Sequence, residues 1–243
     1  MSTPLKIKCK VLSIDAHGDS VFTIKLKPAR RLPRFNPGQF LHLALDSYDP
    51  TGGYWPESRV FSIASAPFDS EIIIAYAVKG KFTLRMKEEL EVGKDVWVKL
   101  PYGHFVVSSA PDEEVILVAG GTGITPFIPF LRKEGSNPSG EKISLIYGVR
   151  RPELLIFGDV IADALSNLNG FRFHAFCEDC ANAVFQFPME QGRLTIDAIL
   201  RATTDPTKAV FYLSGPVEMI TTFKNGLRDT GITDTKIHID EWE

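Results

Sequence analysis

The sequence predicts two domains in succession, an antiparallel β-barrel carrying one helix and then a doubly wound α/β domain on a parallel sheet. Three observations lead there. The chain has 243 residues, which at roughly 150 residues per domain suits two ordinary domains. Residues 1–109 read as short alternating segments broken by Gly, Pro and Asp, a β pattern. Residues 110–243 repeat a short apolar strand followed by a helical stretch, the rhythm of a parallel sheet covered on both faces.

Taken in order, Val21–Leu26 alternates Phe22, Ile24 and Leu26 with Thr23 and Lys25. Phe40–Leu45 and Val96–Leu100 behave similarly, as half-buried antiparallel strands do, and several such strands close most easily as a barrel. One helix interrupts them: Thr83–Leu90 sets Leu84, Met86 and Leu90 at helical spacing after the turn Lys79-Gly80-Lys81. The stretch from Ser108 to Glu114, Ser-Ser-Ala-Pro-Asp-Glu-Glu, is the expected linker. Beyond it, strands are expected at Val115–Ala119, Ile143–Tyr147, Phe171–Phe176, Ala209–Leu213 and Lys236–Ile239. Helices are expected near Pro126–Arg132, Glu153–Asn167, Thr195–Arg201 and Val217–Asp229.

Composition narrows the function. Hydrophobic residues make up 44% and charged residues 23%, enough to build a core. A net charge of -3 leaves no basic surplus to neutralise phosphate backbones, which argues against nucleic acid as a partner. The longest apolar runs, Ile72–Val78 and Val115–Ala119, fall short of the ~20 residues of a membrane span. The opening Met1-Ser2-Thr3-Pro4 lacks the apolar stretch of a secretory signal, and three cysteines are too few for a disulfide framework, so a reducing, cytoplasmic compartment is expected.

Three motifs carry chemistry. Gly120-Gly121-Thr122-Gly123-Ile124-Thr125-Pro126 lies where an apolar strand ends and a helix begins. Glycines there let backbone approach a pyrophosphate, which a helix N-terminus stabilises, and ligands of open parallel sheets bind at strand ends. Alone, such a loop is as often a plain tight turn. Arg59-Val60-Phe61-Ser62 offers a cation and a hydroxyl, expected on one face of a strand. Alone, it is an ordinary strand with a solvated Arg. Gly80-Lys81-Phe82-Thr83 opens the one helix of the first half, a second possible phosphate cradle. Two anion-binding helix starts suggest a bound dinucleotide and a second nucleotide.

At these residues the chain resembles the ferredoxin-NADP reductase superfamily, flavoproteins with a flavin-binding barrel followed by a pyridine-nucleotide domain. Arg59-Val60-Phe61-Ser62 resembles the family's flavin motif, Gly80–Thr83 its pyrophosphate loop, and Pro101-Tyr102-Gly103-His104-Phe105 the signature that closes the barrel. Gly120–Pro126 resembles the nicotinamide-nucleotide loop, and Ser214-Gly215-Pro216 stands where the family has Cys-Gly-Pro or a variant. Asp240-Glu241-Trp242 resembles its acidic-x-aromatic terminus.

The resemblance implies a flavin-binding domain over residues 1–109, a nucleotide domain over 110–243, FAD as cofactor and NADH or NADPH as donor. Arg59 is expected on a flavin phosphate, Val60 and Phe61 along the cofactor, and the Ser62 hydroxyl at flavin N5. Lys81, Phe82 and Thr83 are expected on the pyrophosphate, the Thr83 hydroxyl adding a bond. Gly121, Thr122 and Gly123 are expected to carry the nicotinamide nucleotide, with Ser214 beside it. Trp242 is expected to cover the flavin ring and Asp240 to handle protons near it.

Other residues carry less. Cys177 and Cys180 read as two unconnected thiols in a loop, and His42, His104 and His174 as structural residues. Tyr147-Gly148-Val149-Arg150-Arg151 is equally a nucleotide contact or a solvated loop. Three cysteines cannot supply the four ligands of an iron-sulfur cluster, which puts the acceptor on another redox protein, ferredoxin-like or otherwise, or on a small molecule. The expected function is a reductase passing electrons from NAD(P)H through FAD. The alternative is a flavin-binding electron-transfer subunit that works only within a larger complex.

Overall fold

The computed structural model describes residues 3–108, 113–137, 140, 142–180 and 186–240. Most of the expected linker, with Glu241 and Trp242, lies outside them. The chain divides into two compact units, Met1–Val106 and Val107–Glu243.

The first unit contains strands β1 (Leu5–Ala16), β2 (Val21–Pro28), β3 (Phe40–Ala44), β4 (Ser58–Ser62), β5 (Ile72–Ala77) and β6 (Asp95–Tyr102), with helix α1 (Lys81–Glu89) between the last two. They form one antiparallel sheet in the order β4-β3-β6-β1-β2-β5. Alternation decides its faces: Ile7, Cys9 and Val11 of β1 and Val96, Val98 and Leu100 of β6 are buried, while Lys8 and Lys10 point outward. The sheet curls until its two ends meet just beyond β4, where Ala64 N donates to Ile73 O at 2.8 Å, giving a nearly closed barrel. Phe82 and Met86 of α1 are buried in the barrel core. This helix begins at Lys81, two residues before its expected start.

The second unit contains β7 (Glu114–Gly120), a 3-10 turn (Gly121–Phe127), α2 (Ile128–Ser136), β8 (Lys142–Val149), α3 (Gly158–Asn167) and β9 (Phe171–Cys177). β10 (Met189–Gln191), α4 (Ile196–Arg201), β11 (Ala209–Ser214), α5 (Val217–Asp229) and β12 (Ile237–Ile239) follow. The strands form a parallel sheet in the order β10-β9-β8-β7-β11-β12, as a doubly wound domain requires. Every residue of β7 is buried, which is why it reads as an unbroken apolar run. Ile116, Val118, Phe211 and Leu213 pack with Ile199, Ile220, Phe223 and Leu227 of α4 and α5.

Three expectations need correction here. The helix expected over Pro126–Arg132 starts only at Ile128, because Gly121–Phe127 winds as a 3-10 turn containing Pro126. The helix expected from Glu153 starts at Gly158: Pro152–Leu154 makes a separate 3-10 turn and Phe157, at φ 61, breaks the chain into the left-handed region. Finally, β10 pairs with β9 where no strand was expected.

Candidate functional site

In the barrel, β4 carries the Arg59–Ser62 motif at the end of the sheet. The expected shared face for Arg59 and Ser62 is wrong: three residues apart on a strand, they point to opposite sides. Arg59 has 53% of its side chain exposed, whereas Ser62 is only 3% exposed. Arg59 Nη2 donates to Glu57 Oε1 at 3.0 Å and Nη1 to the Ser58 carbonyl at 2.9 Å. Its guanidinium lies 5.3 Å from the centre of the Phe82 ring. Since Phe82 belongs to the first turn of α1, this contact brings two motifs, Arg59–Ser62 and Gly80–Thr83, into one place, a surface cation beside a helix N-terminus. The N–H groups of that turn have no acceptor within the helix. A Cβ placed on Gly80 meets nothing within 4 Å, so the approach is open.

Thr83 acts differently from expectation. Its Oγ1 accepts from Lys79 N at 2.9 Å and Gly80 N at 3.1 Å and donates to Gly80 O at 3.0 Å. The hydroxyl therefore holds the loop in shape, and its single proton is committed to a carbonyl. Ser62 is the converse case. Among the described residues its Oγ is a buried hydroxyl with no hydrogen-bond partner, an arrangement that costs free energy unless a ligand supplies the bond. An orphaned hydroxyl, an open helix start and an exposed Arg fit a phosphate-bearing cofactor with a polar ring atom. FAD is such a group.

The barrel-closing segment is braced by Gln39, whose Nε2 donates to Gly103 O at 3.0 Å while its Oε1 accepts from Asn36 N at 2.9 Å. Gly103 itself, at φ +96, leaves no room for a Cβ against the Phe40 ring.

In the second unit, two turns meet at the ends of neighbouring strands. β7 runs into Gly120–Gly123, and β11 ends at Ser214, paired with Ala119, before Gly215-Pro216. A Cβ on Gly120 would fall 2.6 Å from the Met219 sulfur, and one on Gly123 would overlap the Ser214 carbonyl. Gly121, at φ +53, has open space above it. Thr125 Oγ1 donates to Thr122 O at 2.6 Å and closes the turn. Glycine is needed at 120 and 123 for close packing and at 121 for backbone conformation.

Ser214, fully buried, donates through Oγ to Asp240 Oδ2 at 2.9 Å, and Asp240 N donates to Leu213 O at 2.9 Å. Burial pushes the Asp240 carboxyl up to about 6, although the Ser214 bond opposes the rise. At the ends of β8 and β9, Glu178 N donates to Val149 O and Asp179 N to Arg150 O. Glu178 pairs with Arg193 at 2.9 Å. Tyr147 is fully buried with its hydroxyl on Leu154 O, so it is no ligand contact, and Arg151 pairs with Glu153; Arg150 is exposed.

Cys177 and Cys180 are free thiols, as expected, and Cys180 Sγ donates to Cys177 O at 3.3 Å. Sequence reasoning also missed Glu57, which holds Arg59 and lies 3.7 Å from Arg85. An acidic residue two positions before a cation in a loop gives no sequence signal.

With both units described, the class is that of a flavin- and pyridine nucleotide-binding protein. The FAD-binding domain family matches residues 6–127 and the oxidoreductase NAD-binding domain family matches residues 117–225. The chain belongs to the ferredoxin-NADP reductase superfamily, with an FAD-binding domain followed by a nicotinamide nucleotide-binding domain. Among curated relatives, the reductase component of propane 2-monooxygenase from Mycolicibacterium smegmatis is 26% identical over 88% of this chain and 61% of its own. A flavohemoprotein of Candida albicans is 29% identical over 85% of this chain and 51% of its own. The chain thus spans 61% of the first relative's length. The fold is shared with a cytochrome P450 reductase of Amycolatopsis, at TM-score 0.82 and 20% identity over 98% of this chain and 70% of that one. A ferredoxin NADP+ reductase of Neisseria gonorrhoeae with bound FAD and NADP gives TM-score 0.75 at 22% identity over 98% of both chains.

Proposed function

We propose that this protein is an NAD(P)H-dependent flavoprotein reductase that delivers electrons to a separate redox protein, with residues 1–109 holding FAD and 110–243 holding the nucleotide. The observation that carries this reading is the buried, unpartnered Ser62 hydroxyl on the strand that also bears Arg59. The bound flavin supplies the exchange between a two-electron donor and one-electron acceptors. Arg59 and the α1 N-terminus bind and orient phosphate, Thr83 keeps the loop open, and Ser62 holds a hydrogen bond to the ring. Gly121, Thr122 and Gly123 let the nucleotide approach backbone closely, and Ser214 is oriented by Asp240. Trp242 is proposed to cover the ring face where nicotinamide stacks.

The acceptor is proposed to be an oxygenase component or a ferredoxin-like protein. Relatives named as reductase components of monooxygenases support this, and they equally support the narrower reading of a subunit active only within its complex. A preference for NADH rests on Glu178 and Asp179 beyond β9, where carboxylates repel a 2′-phosphate and accept from a ribose 2′-hydroxyl. A cytoplasmic location is proposed; among the described residues no helix is long and apolar enough to cross a membrane.

The test is anaerobic titration of the purified holoprotein with NADH, followed by addition of candidate acceptors. Flavin bands that bleach with NADH and return with an acceptor protein support the reading. Bands that bleach with dithionite and stay unchanged with either nucleotide overturn it.

A further inference from the structure

β9 ends at Cys177, and Glu178, Asp179 and Cys180 continue from it at the C-terminal edge of the parallel sheet. Backbone bonds hold this tetrapeptide on two sides. Glu178 N donates to Val149 O at 3.1 Å and Asp179 N to Arg150 O at 2.8 Å, while Cys177 O accepts from Gly192 N at 2.8 Å. Within it the two thiols stand three positions apart, with Cys180 Sγ 3.3 Å from Cys177 O and the Cys177 sulfur 3.7 Å from Arg150 O. Their exposures differ: Cys177 is fully buried and Cys180 partly exposed.

We propose that Cys177 and Cys180 are an oxidisable dithiol, which a hydroperoxide closes to an intrachain disulfide beside the Arg150 end of β8. The exposure gradient assigns the roles. Cys180, which solvent reaches, attacks the peroxide as its thiolate: the O–O bond breaks, the sulfur becomes a sulfenic acid, and the leaving oxygen departs as water or alcohol with a solvent proton. Cys177 then attacks the Cys180 sulfur, the S–S bond forms, the S–O bond breaks, and water leaves carrying the Cys177 proton. In sum two thiols are oxidised and one peroxide is reduced. Burial pushes the Cys177 thiol up to about 12, so it is a poor first attacker and acts only on the Cys180 sulfur three positions away once that sulfur is oxidised.

Closing the ring draws Cys180 away from the Cys177 carbonyl and shifts the Glu178 and Asp179 backbone, whose N–H groups the Val149 and Arg150 carbonyls hold, and the two carboxylates move with it. This consequence rests on the proposed nucleotide site. The disulfide form is expected to bind NADH more weakly.

Both cysteines fall in one tryptic peptide, residues 173–193, which simplifies the test. The FAD-loaded protein is treated with hydrogen peroxide, alkylated under denaturing conditions and digested. The expected peptide is lighter by about 2 Da than the dithiol form, carries no alkyl group, and regains both alkylation sites after dithiothreitol. In Cys180→Ser, Cys177 is expected to stay alkylatable after the same treatment. Stepwise sulfinic acid at Cys180 with Cys177 still alkylatable, or a bond to Cys9, overturns the dithiol. A several-fold higher KM for NADH in the oxidised protein, with dithionite reduction of the flavin unchanged, is expected; an unchanged KM overturns the effect on binding. Should the reduced protein fail to accept electrons from NADH at all, the proposed function falls while the peptide mass still decides the dithiol.

Discussion

Ser214 Oγ donates to Asp240 Oδ2 at 2.9 Å, joining the ends of two parallel strands through a pair that is almost wholly buried. The carboxyl, pushed up to about 6 by burial, stays protonated in the folded state at pH values where an unfolded Asp is ionised. Folding therefore takes up a proton between the unfolded value of 3.8 and about 6, and stability falls as pH rises through that window. Asp240→Asn is expected to flatten this dependence and, at pH 7.5, to leave the protein as stable as the parent or more so, by up to on the order of 1–3 kcal/mol. Urea denaturation across pH 4–8 checks it; parallel curves for parent and variant contradict the assignment.

Arg59→Ala is expected to fold and to bind FAD at least about tenfold more weakly, because a charge-assisted bond to phosphate is lost. Ser62→Ala removes a hydroxyl that has no hydrogen-bond partner among the described residues, so its stability without cofactor should equal or exceed that of the parent. Flavin content after dialysis, with melting of the apoproteins, separates the two. Full flavin retention in Arg59→Ala refutes the phosphate role.

Thr83→Val tests the loop. It removes the acceptor for Lys79 and Gly80 N–H groups while keeping the side-chain volume. A destabilisation of about 1 kcal/mol is expected, as for loss of a helix cap, together with weaker FAD binding. Thr83→Ser should restore most of both. Equal FAD affinity in Thr83→Val and the parent would mean that the loop keeps its shape by other means.

Nucleotide choice is the fourth prediction: kcat/KM is expected to favour NADH over NADPH. Glu178 is tied to Arg193 at 2.9 Å, a largely exposed pair that contributes little to stability. Replacing both carboxylates, Glu178→Ser with Asp179→Ser, leaves Arg150 and Arg193 as the local cations and should raise kcat/KM for NADPH. Steady-state kinetics decides; a tenfold advantage for NADPH in the parent sinks the idea.

Legibility in the sequence follows the range of the interaction. β7, β8 and β11 are legible because central parallel strands are buried on both faces and read as apolar runs, whereas β9 alternates, with Arg172 and His174 exposed. α5, Val217–Asp229, matched to the residue because its amphipathic period begins after Pro216. β1 was not among the expected strands, although Ile7, Cys9 and Val11 alternate with Lys6, Lys8 and Lys10 as plainly as any. β10, of three residues, is too short for a periodic signal and exists by pairing with β9. In the candidate site, glycine loops and Arg-x-aromatic-Ser are local and were visible. The Arg59–Phe82 contact and the Ser214–Asp240 bond across 26 positions are tertiary, and composition carries no trace of them.

Gly120 and Gly123 packed against Met219 and the Ser214 backbone make the two turns a single mechanical part. Anyone redesigning nucleotide choice by randomising residues 120–123 alone would sample mostly broken variants, since a side chain at 120 or 123 must find room in a wall that the library holds fixed. Substitutions at 120 and 219 should be strongly non-additive, with a change at 120 tolerated only beside a smaller residue at 219, while 123, which faces backbone, admits none. The productive unit of variation is the pair of strand ends taken together.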